Sequence, residues 1–338
     1  MGKIVEYLKL SRSFNALLTG VSPVMGAIAM KQFNMFYLLI LFLIGFFGHT
    51  YGFVLNDILD YKIDKSSKEI SDRPLISGTI SIRNAWIFAT ISIVISLLLS
   101  FYIAYKSGLY FPIILLALSA LFITIYNLIS KKFPCMDFFV AFGVFFLILY
   151  GAQTTTKVFL NISLLAWIVC ILGFLQVLYM QFISGGLKDI ENDYISGAKT
   201  LAVKMNVRIK NGKLIIPNGF KILAYSLQII DLFVVFIPFF IIWNIKKLTN
   251  LQYFQFIILA LIAVSMIYLS YKLLSLKEFG RDKARMLIGS HYMIHFALVP
   301  IMLMTLTPWA GFIVFLPAVG YILSNIVIHG TILKPKTM

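Results

Sequence analysis

The sequence predicts an all-α protein, a polytopic bundle of transmembrane helices. Of its 338 residues, 60% are hydrophobic and only 12% are charged, and the mean hydropathy is +0.93. A soluble domain is about 45 to 50% apolar and roughly a quarter charged, so the composition excludes that class. The many aromatic and branched residues also exclude a disordered chain. The two cysteines, Cys135 and Cys170, are too few for a disulfide framework or a four-cysteine zinc site, so a metal would need oxygen ligands.

Ten apolar runs lie between charged breaks, and each predicts a membrane-spanning helix. The predicted spans are residues 14–30, 36–55, 84–105, 109–129, 136–151, 159–183, 221–243, 252–275, 286–306 and 308–329. A membrane bundle uses about 20 residues per span plus its connections. The sequence therefore predicts one membrane domain rather than two soluble ones.

Basic residues predict the orientation of these spans. The N-terminus, the C-terminal tail and every second connection share one face and contain 22 Lys and Arg, whereas the opposite connections contain 5. Because cytoplasmic loops carry such an excess, we expect the N-terminus at the cytoplasmic face of the cell membrane. Basic loops beside anionic lipid head groups explain the net charge of +16, and no nucleic-acid motif accompanies it. We therefore expect the lipid bilayer, and no nucleic acid, as a partner.

The acidic residues gather on the same predicted face. Eleven of the 13 Asp and Glu lie in its segments, Asp137 begins a span near it, and only Asp231 lies inside a predicted helix. The positive-inside tendency concerns Lys and Arg and is nearly indifferent to acids. The clustering of carboxylates on this face therefore indicates a separate cause.

Two groups of these residues have helical spacing. Asn56, Asp60 and Asp64 recur every four residues after the second span, and Asp189 and Asp193 do so after the sixth. Carboxylates held together repel one another unless a cation compensates them. Mg²⁺ fits, because it takes oxygen ligands and commonly bridges one or two carboxylates to phosphates. The spacing predicts a diphosphate held through magnesium between the two motifs, with the site at the cytoplasmic face.

These motifs and their order resemble the UbiA family of intramembrane prenyltransferases. The resemblance spans most of residues 10–306 and also includes the segments 71–78 (SDRPLISG), 188–193 (KDIEND) and 197–201 (GAKTL). It implies a nine-span prenyltransferase core over residues 1–306, followed by an additional tenth span and cytoplasmic tail over 307–338. It also implies Mg²⁺-dependent transfer of an isoprenoid chain from a polyprenyl diphosphate donor to an unidentified acceptor.

The resemblance assigns residues to this chemistry. The expected magnesium and diphosphate ligands are Asn56, Asp60, Asp64, Asp189 and Asp193, with the four aspartates as catalytic residues. Asp57 is a weaker candidate. The cationic side chains expected to stabilise the leaving diphosphate are Arg73, Lys131 and Lys188. Arg12 and Asn15 match the family's Arg-Pro-x-Asn segment without its proline. The resemblance implies that both line the pocket, and the alternative for Arg12 is a lipid anchor at the cytoplasmic end of a span. Tyr126 and Lys131 match its Tyr-x-x-x-Lys segment with one extra residue.

Three histidines and one hairpin signal have open roles. For His291 and His295, one turn apart, we expect packing or hydrogen bonding to the acceptor, because no carboxylate is near them in sequence. His49, seven residues before Asn56, shares its helix face and can reach the cavity or pack in the core. Asn211-Gly212 between two short polar and apolar runs predicts a β-hairpin, either a cap on the second motif or an insertion.

Two other classes place their acidic residues differently. A CDP-alcohol phosphotransferase has its aspartates within one compact motif, whereas Asp60 and Asp189 are 129 residues apart. An ion transporter usually places acids near the middle of the membrane, where only Asp231 is predicted. The acceptor stays open, with a quinone-precursor aromatic and a glycerol-phosphate ether lipid favoured and haem disfavoured.

Overall fold

The computed structural model describes residues 2–65, 71–210, 212–276 and 281–329. Within these ranges the chain is helical almost throughout, and it divides into two compact units. The first unit is built from the described residues of Met1–Leu128, Phe142–Ala166 and Leu316–Thr337. The second is built from those of Ile129–Ala141 and Trp167–Phe315.

The described part of the first unit is made of helices with few interruptions. They are α1 (Lys3–Leu10), α2 (Ser13–Ala29), α3 (Met35–Leu59), α4 (Tyr61–Asp64), α5 (Ile82–Ser107), α6 (Phe111–Ile129) and most of α7 (Asp137–Gln153). Side-chain caps fix two of the starts. Asn34 accepts from the N–H of Tyr37 at 3.0 Å, and Ser81 accepts from the N–H of Asn84 at 3.2 Å. α5 ends at Gly108, whose φ of 70° suits a residue without a Cβ.

The second unit contains helices, one π-helical segment and two strands. They are most of α8 (Leu164–Leu178), the π-helical segment Tyr179–Gly185, α9 (Gly186–Ser196), α10 (Leu201–Lys204), β1 (Arg208–Lys210), β2 (Lys213–Ile215), α11 (Asn218–Ile241), α12 (Asn250–Leu274), α13 (Arg281–Phe296) and α14 (Leu298–Leu303). Short 3₁₀ turns occupy Phe159–Asn161, Ile245–Lys247 and Pro308–Val314. The last helix, α15 (Phe315–His329), belongs to the first unit from Leu316 onwards.

The prediction of an all-helical, multi-pass membrane protein is confirmed. Among the described residues, seven helical segments have the length and hydropathy of a membrane span, and three apolar helices are shorter. The count of nine plus one spans and the boundary at residue 307 stay predictions. Two predicted ends are too early, because α3 continues beyond residue 55 and helical structure after the sixth span continues beyond residue 183 to Ser196. Hydropathy marks where the apolar run stops, whereas the helix extends past it.

Glycines allow α2 and α7 to approach closely. A side-chain carbon at Gly26 would overlap the carbonyl oxygen of Ile148, and one at Gly151 would overlap the carbonyl oxygen of Pro23. Helices in a membrane gain little from the hydrophobic effect between them, so small residues and close backbone packing stabilise their contacts. The crossing of these two helices is therefore set by backbone atoms rather than by flexible side chains.

The predicted hairpin is confirmed. β1 and β2 are antiparallel, with Ile209 opposite Leu214. Gly212 has a φ of 72°, which a glycine adopts without steric cost, and Asn211 lies outside the described residues. Ile209 and Leu214 pack against the apolar core of the second unit. The strands are thereby anchored to that unit.

A buried polar cluster lies inside the second unit. His295 Nε2 and Asp231 Oδ2 are 2.7 Å apart, and His291 Nε2 lies 3.1 Å from Gln228 Nε2. The ring of Tyr179 stacks on His291 with 4.5 Å between centroids. All five side chains are nearly inaccessible to solvent. Hydrogen bonds of this kind specify how helices pack, because a buried polar group without a partner is costly.

This cluster adds a contact of His295 that the sequence does not reveal. His295 has a carboxylate neighbour after all, which the sequence does not reveal because Asp231 lies 64 residues earlier on another helix. Asp231 is likewise not an isolated acid in its span. Both histidines are in the packed interior, in agreement with the packing alternative.

Replacing Gly151 by Ala should lower the thermal unfolding temperature of the purified protein. The new carbon would overlap a backbone carbonyl, which cannot rotate away, and overpacking a core typically costs about 1 to 3 kcal/mol. Thermal unfolding in detergent measures the effect. Gly48→Ala in α3 is the matched control, because its new carbon would meet only Ser96 Oγ at 3.9 Å. Equal unfolding temperatures for the two variants would contradict the close approach of α2 and α7.

Candidate functional site

The first acidic motif lies where α3 gives way to α4. α3 ends at Leu59, but Asp60 keeps a right-handed helical backbone with φ −82° and ψ −5°. The N–H of Asp60 donates to the carbonyl of Asn56, and the N–H of Asp64 donates to the carbonyl of Asp60, both at 2.9 Å. The four-residue repeat therefore continues past the end of α3. This backbone supports the predicted common face of the three residues.

Asn56 is fixed from α6. Its Nδ2 donates to Oδ1 of Asn127 at 3.3 Å, and Nδ2 of Asn127 donates to the carbonyl of Gly52 at 2.8 Å. Asn127 is buried, and the preceding Tyr126, a predicted site residue, is half-buried in the last turn of the same helix. Asn127 was not predicted as a site residue, although it directly follows Tyr126. The amide of Asn56 is thus held by a side chain 71 residues away.

Two arginines converge on the first motif. Arg12 Nη2 donates to Asp57 Oδ1 at 2.9 Å, and Arg73 Nη1 donates to Asp64 Oδ2 at 2.6 Å. Arg73 Nη1 also lies 3.6 Å from Asp57 Oδ1. The side chain of Asp57 is only 7% exposed, whereas those of Arg12 and Arg73 are 27% and 33% exposed. Four predicted residues therefore form one network of alternating charge, and Asp57 is its most buried member.

The segment that carries Arg12 is held by apolar packing. Leu10, at the end of α1, belongs to a buried cluster with Val54, Ile58, Leu75, Ile80, Ala85 and Ala89. Arg12 itself has φ 44° and ψ 54°, which is uncommon for a residue with a side chain. Its guanidinium carbon lies 4.9 Å from the ring centre of Phe53, within cation–π distance. Asn15, half-buried in the first turn of α2, donates its N–H to the carbonyl of Arg12 at 2.9 Å.

His49 lies two turns before Asn56 on α3. Its Nδ1 is 2.8 Å from Thr19 Oγ1, and its ring stacks on Phe53 with 4.1 Å between centroids. Phe53 therefore contacts both His49 and Arg12. The imidazole is buried in the first unit. The Phe53 ring connects it to Arg12, the arginine that bonds Asp57.

The second acidic motif lies on α9, directly after the π-helical segment. Asp189 and Asp193 are one turn apart on this helix. Asp193 is 9% exposed, and its Oδ2 accepts from Thr200 Oγ1 at 2.9 Å. Asp189 is more open, with a 42% exposed side chain 3.5 Å from Lys188 Nζ. Thr200 was not predicted as a ligand-holding residue, although it lies in the segment 197–201 that resembles the family.

A cavity of about 450 Å³ opens beside the second motif. Its lining residues are Pro134, Asp193, Tyr194, Gly197, Ala198, Lys199, Val203 and Lys204. The N–H of Lys199 donates to the carbonyl of Lys131 at 3.1 Å. This bond ties the segment after α9 to the connection that carries Lys131. The cavity thus combines apolar walls with one buried carboxylate and two lysines.

The predicted site residues fall into two groups, each described within its own unit. The first unit holds Arg12, Asn15, Asn56, Asp57, Asp60, Asp64, Arg73 and Tyr126. The second unit holds Lys131, Lys188, Asp189 and Asp193. Within each group, one carboxylate of the motif has a basic side chain close by, since Asp64 pairs with Arg73 and Asp189 lies 3.5 Å from Lys188.

The oxygen atoms of both motifs fit a magnesium ion. In the part of the chain that the structure describes, no three His, Cys, Asp or Glu side chains converge as a ready metal cluster. Mg²⁺ does not need one, because it keeps several waters and typically binds one or two carboxylates together with substrate phosphates. Asp60 with Asp64, and Asp189 with Asp193, each supply two carboxylates one helical turn apart. Either pair is the kind of donor set that this ion takes.

Comparison with known proteins identifies relatives of this chain. The model of the UbiA prenyltransferase family matches residues 17–288. A digeranylgeranylglyceryl phosphate synthase from Methanobrevibacter smithii is 25% identical over 228 residues, which is 67% of this chain and 74% of that protein. A solved structure of a digeranylgeranylglyceryl phosphate synthase has a TM-score of 0.61 at 21% identity. The match covers 92% of this chain and 99% of the solved chain. A UbiA homolog from Archaeoglobus fulgidus bound to GPP and Mg²⁺ has a TM-score of 0.59 at 16% identity. That match covers 87% of this chain and 99% of the homolog.

The family match includes both acidic motifs, and the solved structures share the fold. The resemblance inferred from the motifs is thereby confirmed, and the CDP-alcohol phosphotransferase and ion-transporter alternatives are set aside. This membrane protein belongs to the UbiA prenyltransferase family.

Proposed function

We propose that this prenyltransferase transfers an isoprenoid chain from a polyprenyl diphosphate to a glyceryl phosphate that already carries one isoprenoid ether. The name of the Methanobrevibacter relative carries this choice, since a digeranylgeranylglyceryl phosphate has two chains on one glyceryl phosphate. The Archaeoglobus homolog, bound to GPP and Mg²⁺, supports a prenyl diphosphate donor and a magnesium cofactor. We therefore favour the glycerol-phosphate ether over a quinone-precursor aromatic acceptor.

The two acidic motifs would hold the metal and the donor. The proposed ligands are Asn56, Asp60, Asp64, Asp189 and Asp193. Bound Mg²⁺ would offset the negative charge that develops on the departing diphosphate. Arg73, Lys188 and Lys131 would place positive charge beside the same group. Arg73 lies 2.6 Å from Asp64 and Lys188 lies 3.5 Å from Asp189, which supports their assignment.

The reaction exchanges one carbon–oxygen bond for another. The bond between the allylic carbon and the diphosphate oxygen breaks, and its electron pair leaves with diphosphate. The hydroxyl oxygen of the acceptor bonds to the carbon and gives up its proton, which the departing diphosphate takes up. Water would compete for the same carbon, so the reacting atoms need an environment from which water is excluded.

The cavity beside Asp193 suits the phosphate of the acceptor. Lys199 and Lys204 line it, and a lysine ammonium binds phosphate as a compact point charge. Pro134 and Val203 provide apolar surface in the same cavity. We therefore assign the phosphate to the lysine side and the first carbons of the ether chain to the apolar side.

Replacing Asp60 or Asp189 by Asn should lower diphosphate release by about a hundredfold or more. The amide keeps the shape but not the charge, metal assistance is worth several kcal/mol, and about 1.36 kcal/mol is tenfold in rate. Diphosphate released from GPP by the purified variants in the presence of a singly prenylated glyceryl phosphate, measured over a range of Mg²⁺ concentrations, reports the change. Higher Mg²⁺ should partly restore each single variant but not the double variant.

Glu191→Gln is the matched control for these variants. Glu191 is exposed on the same helix, between Asp189 and Asp193 in sequence, and its removal deletes the same charge from another side of α9. It should retain wild-type activity. Wild-type rates in both Asp variants, or activity that EDTA does not affect, would overturn the magnesium site.

The acceptor is tested with a singly prenylated glyceryl phosphate and its dephosphorylated form. We expect transfer to the phosphorylated compound alone. The double variant with Lys199→Gln and Lys204→Gln should raise the KM of the phosphorylated acceptor about tenfold or more. A hydrogen bond to a charged group is worth about 1.5 to 3 kcal/mol. The KM of the donor should stay the same, and Lys210→Gln, an exposed lysine of β1, is the control. Equal use of both compounds contradicts the phosphate position, and use of neither contradicts the acceptor class.

We also propose that the site faces the cytoplasm, on the support of the 22 to 5 division of basic residues. A cysteine at Ser196 should react with a membrane-impermeant thiol reagent only in opened cells, whereas one at Lys157 should react in intact cells. Both positions are exposed. Cys135→Ser keeps the background low, although burial and the nearby Asp137 already raise the pKa of that thiol. Labelling at Ser196 in intact cells would contradict this orientation.

A further inference from the structure

Asp57 has surroundings unlike those of the other acidic residues in the first motif. Its side chain is 7% exposed, and its Oδ1 accepts from Arg12 at 2.9 Å and lies 3.6 Å from Arg73 Nη1. A buried carboxylate is costly unless charges of opposite sign and hydrogen bonds compensate it. Two guanidinium groups supply that compensation here. Through Asp57, the end of α3 contacts Arg12 of the N-terminal segment and Arg73 of the segment after α4.

The two guanidinium groups are more open than the carboxylate that holds them. Arg12 is 27% and Arg73 33% exposed. Each guanidinium carries five N–H donors in a planar fork, and the bonds to Asp57 and Asp64 use Nη2 of Arg12 and Nη1 of Arg73. A fork of this shape matches phosphate oxygens in pairs. Arg12 and Arg73 are therefore suited to bind a diphosphate while they remain bonded to Asp57.

The same geometry argues against Asp57 as a metal ligand. A magnesium ion on Oδ1 of Asp57 would lie beside two guanidinium groups that approach this oxygen within 3.6 Å, whereas Oδ2 of Asp64, a proposed metal ligand, is paired with one. Like charges at such distances repel strongly where water is scarce. Without Asp57, in turn, Arg12 and Arg73 would lack the negative charge that draws both of them to the end of α3.

We propose that Asp57 is a positioning residue that holds the guanidinium groups of Arg12 and Arg73 beside the first motif, where they bind the diphosphate of the donor. This inference rests on the proposed function and adds a role for a residue that the sequence placed among the weaker ligand candidates. Arg73 also bonds Asp64, so it connects the positioning carboxylate to a proposed metal ligand. When Asp64 takes up magnesium, Asp57 keeps Arg73 in place.

Binding of inorganic pyrophosphate to the purified full-length chain tests this role without any transfer reaction. Calorimetric titration in saturating Mg²⁺ should show about 10- to 100-fold weaker binding by Asp57→Asn, by analogy with the loss usual for residues that orient metal ligands. Arg12→Gln and Arg73→Gln should weaken binding in the same direction. When either arginine variant is combined with Asp57→Asn, the fold-loss in pyrophosphate affinity should be smaller than the product of the two single losses, because the residues act as a unit.

Steady-state kinetics separate positioning from metal binding. Asp57→Asn should raise the KM of the donor more than it lowers kcat, and the Mg²⁺ concentration for half-maximal activity should stay at the wild-type value. Asp72→Asn is the matched control, because Asp72 is an exposed acid directly before Arg73. It should bind pyrophosphate as the wild type does.

The outcomes distinguish this inference from the proposed function. If the wild type binds pyrophosphate and Asp57→Asn binds it equally well, the positioning role is wrong and the donor proposal stands. If Asp57→Asn raises only the Mg²⁺ requirement, Asp57 is a metal ligand and the positioning role is again wrong. If the wild type binds no pyrophosphate at any Mg²⁺ concentration, both proposals fail.

A second pair of variants covers the case in which Asp57→Asn does not fold. Arg12→Lys and Arg73→Lys keep the positive charge next to Asp57 but lose the planar fork. Weaker pyrophosphate binding by both, at unchanged thermal unfolding temperature, supports the role. Wild-type affinity in both variants overturns it.

Discussion

Inside a bilayer no water is available to bond backbone N–H and C=O groups, so each apolar run of this chain has to satisfy them within its own helix. Regular helices result, and departures from them are confined to few places. Arg12 adopts a left-handed backbone between α1 and α2, Asp60 interrupts α3, and a π-helical segment precedes α9. Each of these three departures adjoins an acidic motif or a charged partner of one, whereas other irregular segments, such as the 3₁₀ turn Pro308–Val314, lie elsewhere in the sequence. Irregular backbone and the proposed chemistry thus share the ends of the spans, where polar groups are tolerated.

Charge balance shapes the first motif. Asp57 and Asp64 each have an arginine within hydrogen-bond distance, and Arg73 lies within 3.6 Å of both. If these arginines bind the donor as we propose, such pairing would reduce the reorganisation needed when charge develops on the leaving group. The second motif is arranged differently. Asp193 is buried and bonded by a neutral hydroxyl of Thr200, and Asp189 is more open.

Much of this arrangement follows from local sequence patterns. The spacing of Asn56, Asp60 and Asp64 predicts one helical face, and the backbone bonds agree even though α3 itself ends at Leu59. The hairpin also follows from its turn residues. Both features depend on residues fewer than ten positions apart, within which helix and turn geometry fix what is adjacent.

Contacts across the chain could not be predicted in this way. Asn127 bonds Asn56 from 71 residues away, and His295 pairs with Asp231 from 64 residues away. Hydropathy gives the length of a helix but not the rotation about its axis, and that rotation decides which side chains meet. The contact on which the proposed role of Asp57 rests is of the same kind, because Arg12 approaches it from 45 residues away.

The π-helical segment affects the direction in which α9 presents the two aspartates of the second motif. A π-turn accommodates one residue more than an α-turn, and one residue corresponds to about 100° of rotation about a helix axis. Asp189 and Asp193 therefore do not continue the angular phase of α8. The two aspartates lie on a different face of α9 from the one that an unbroken α-helix would have given them. The π-helical residues 179–185 thus change the direction in which α9 presents its two carboxylates relative to α8.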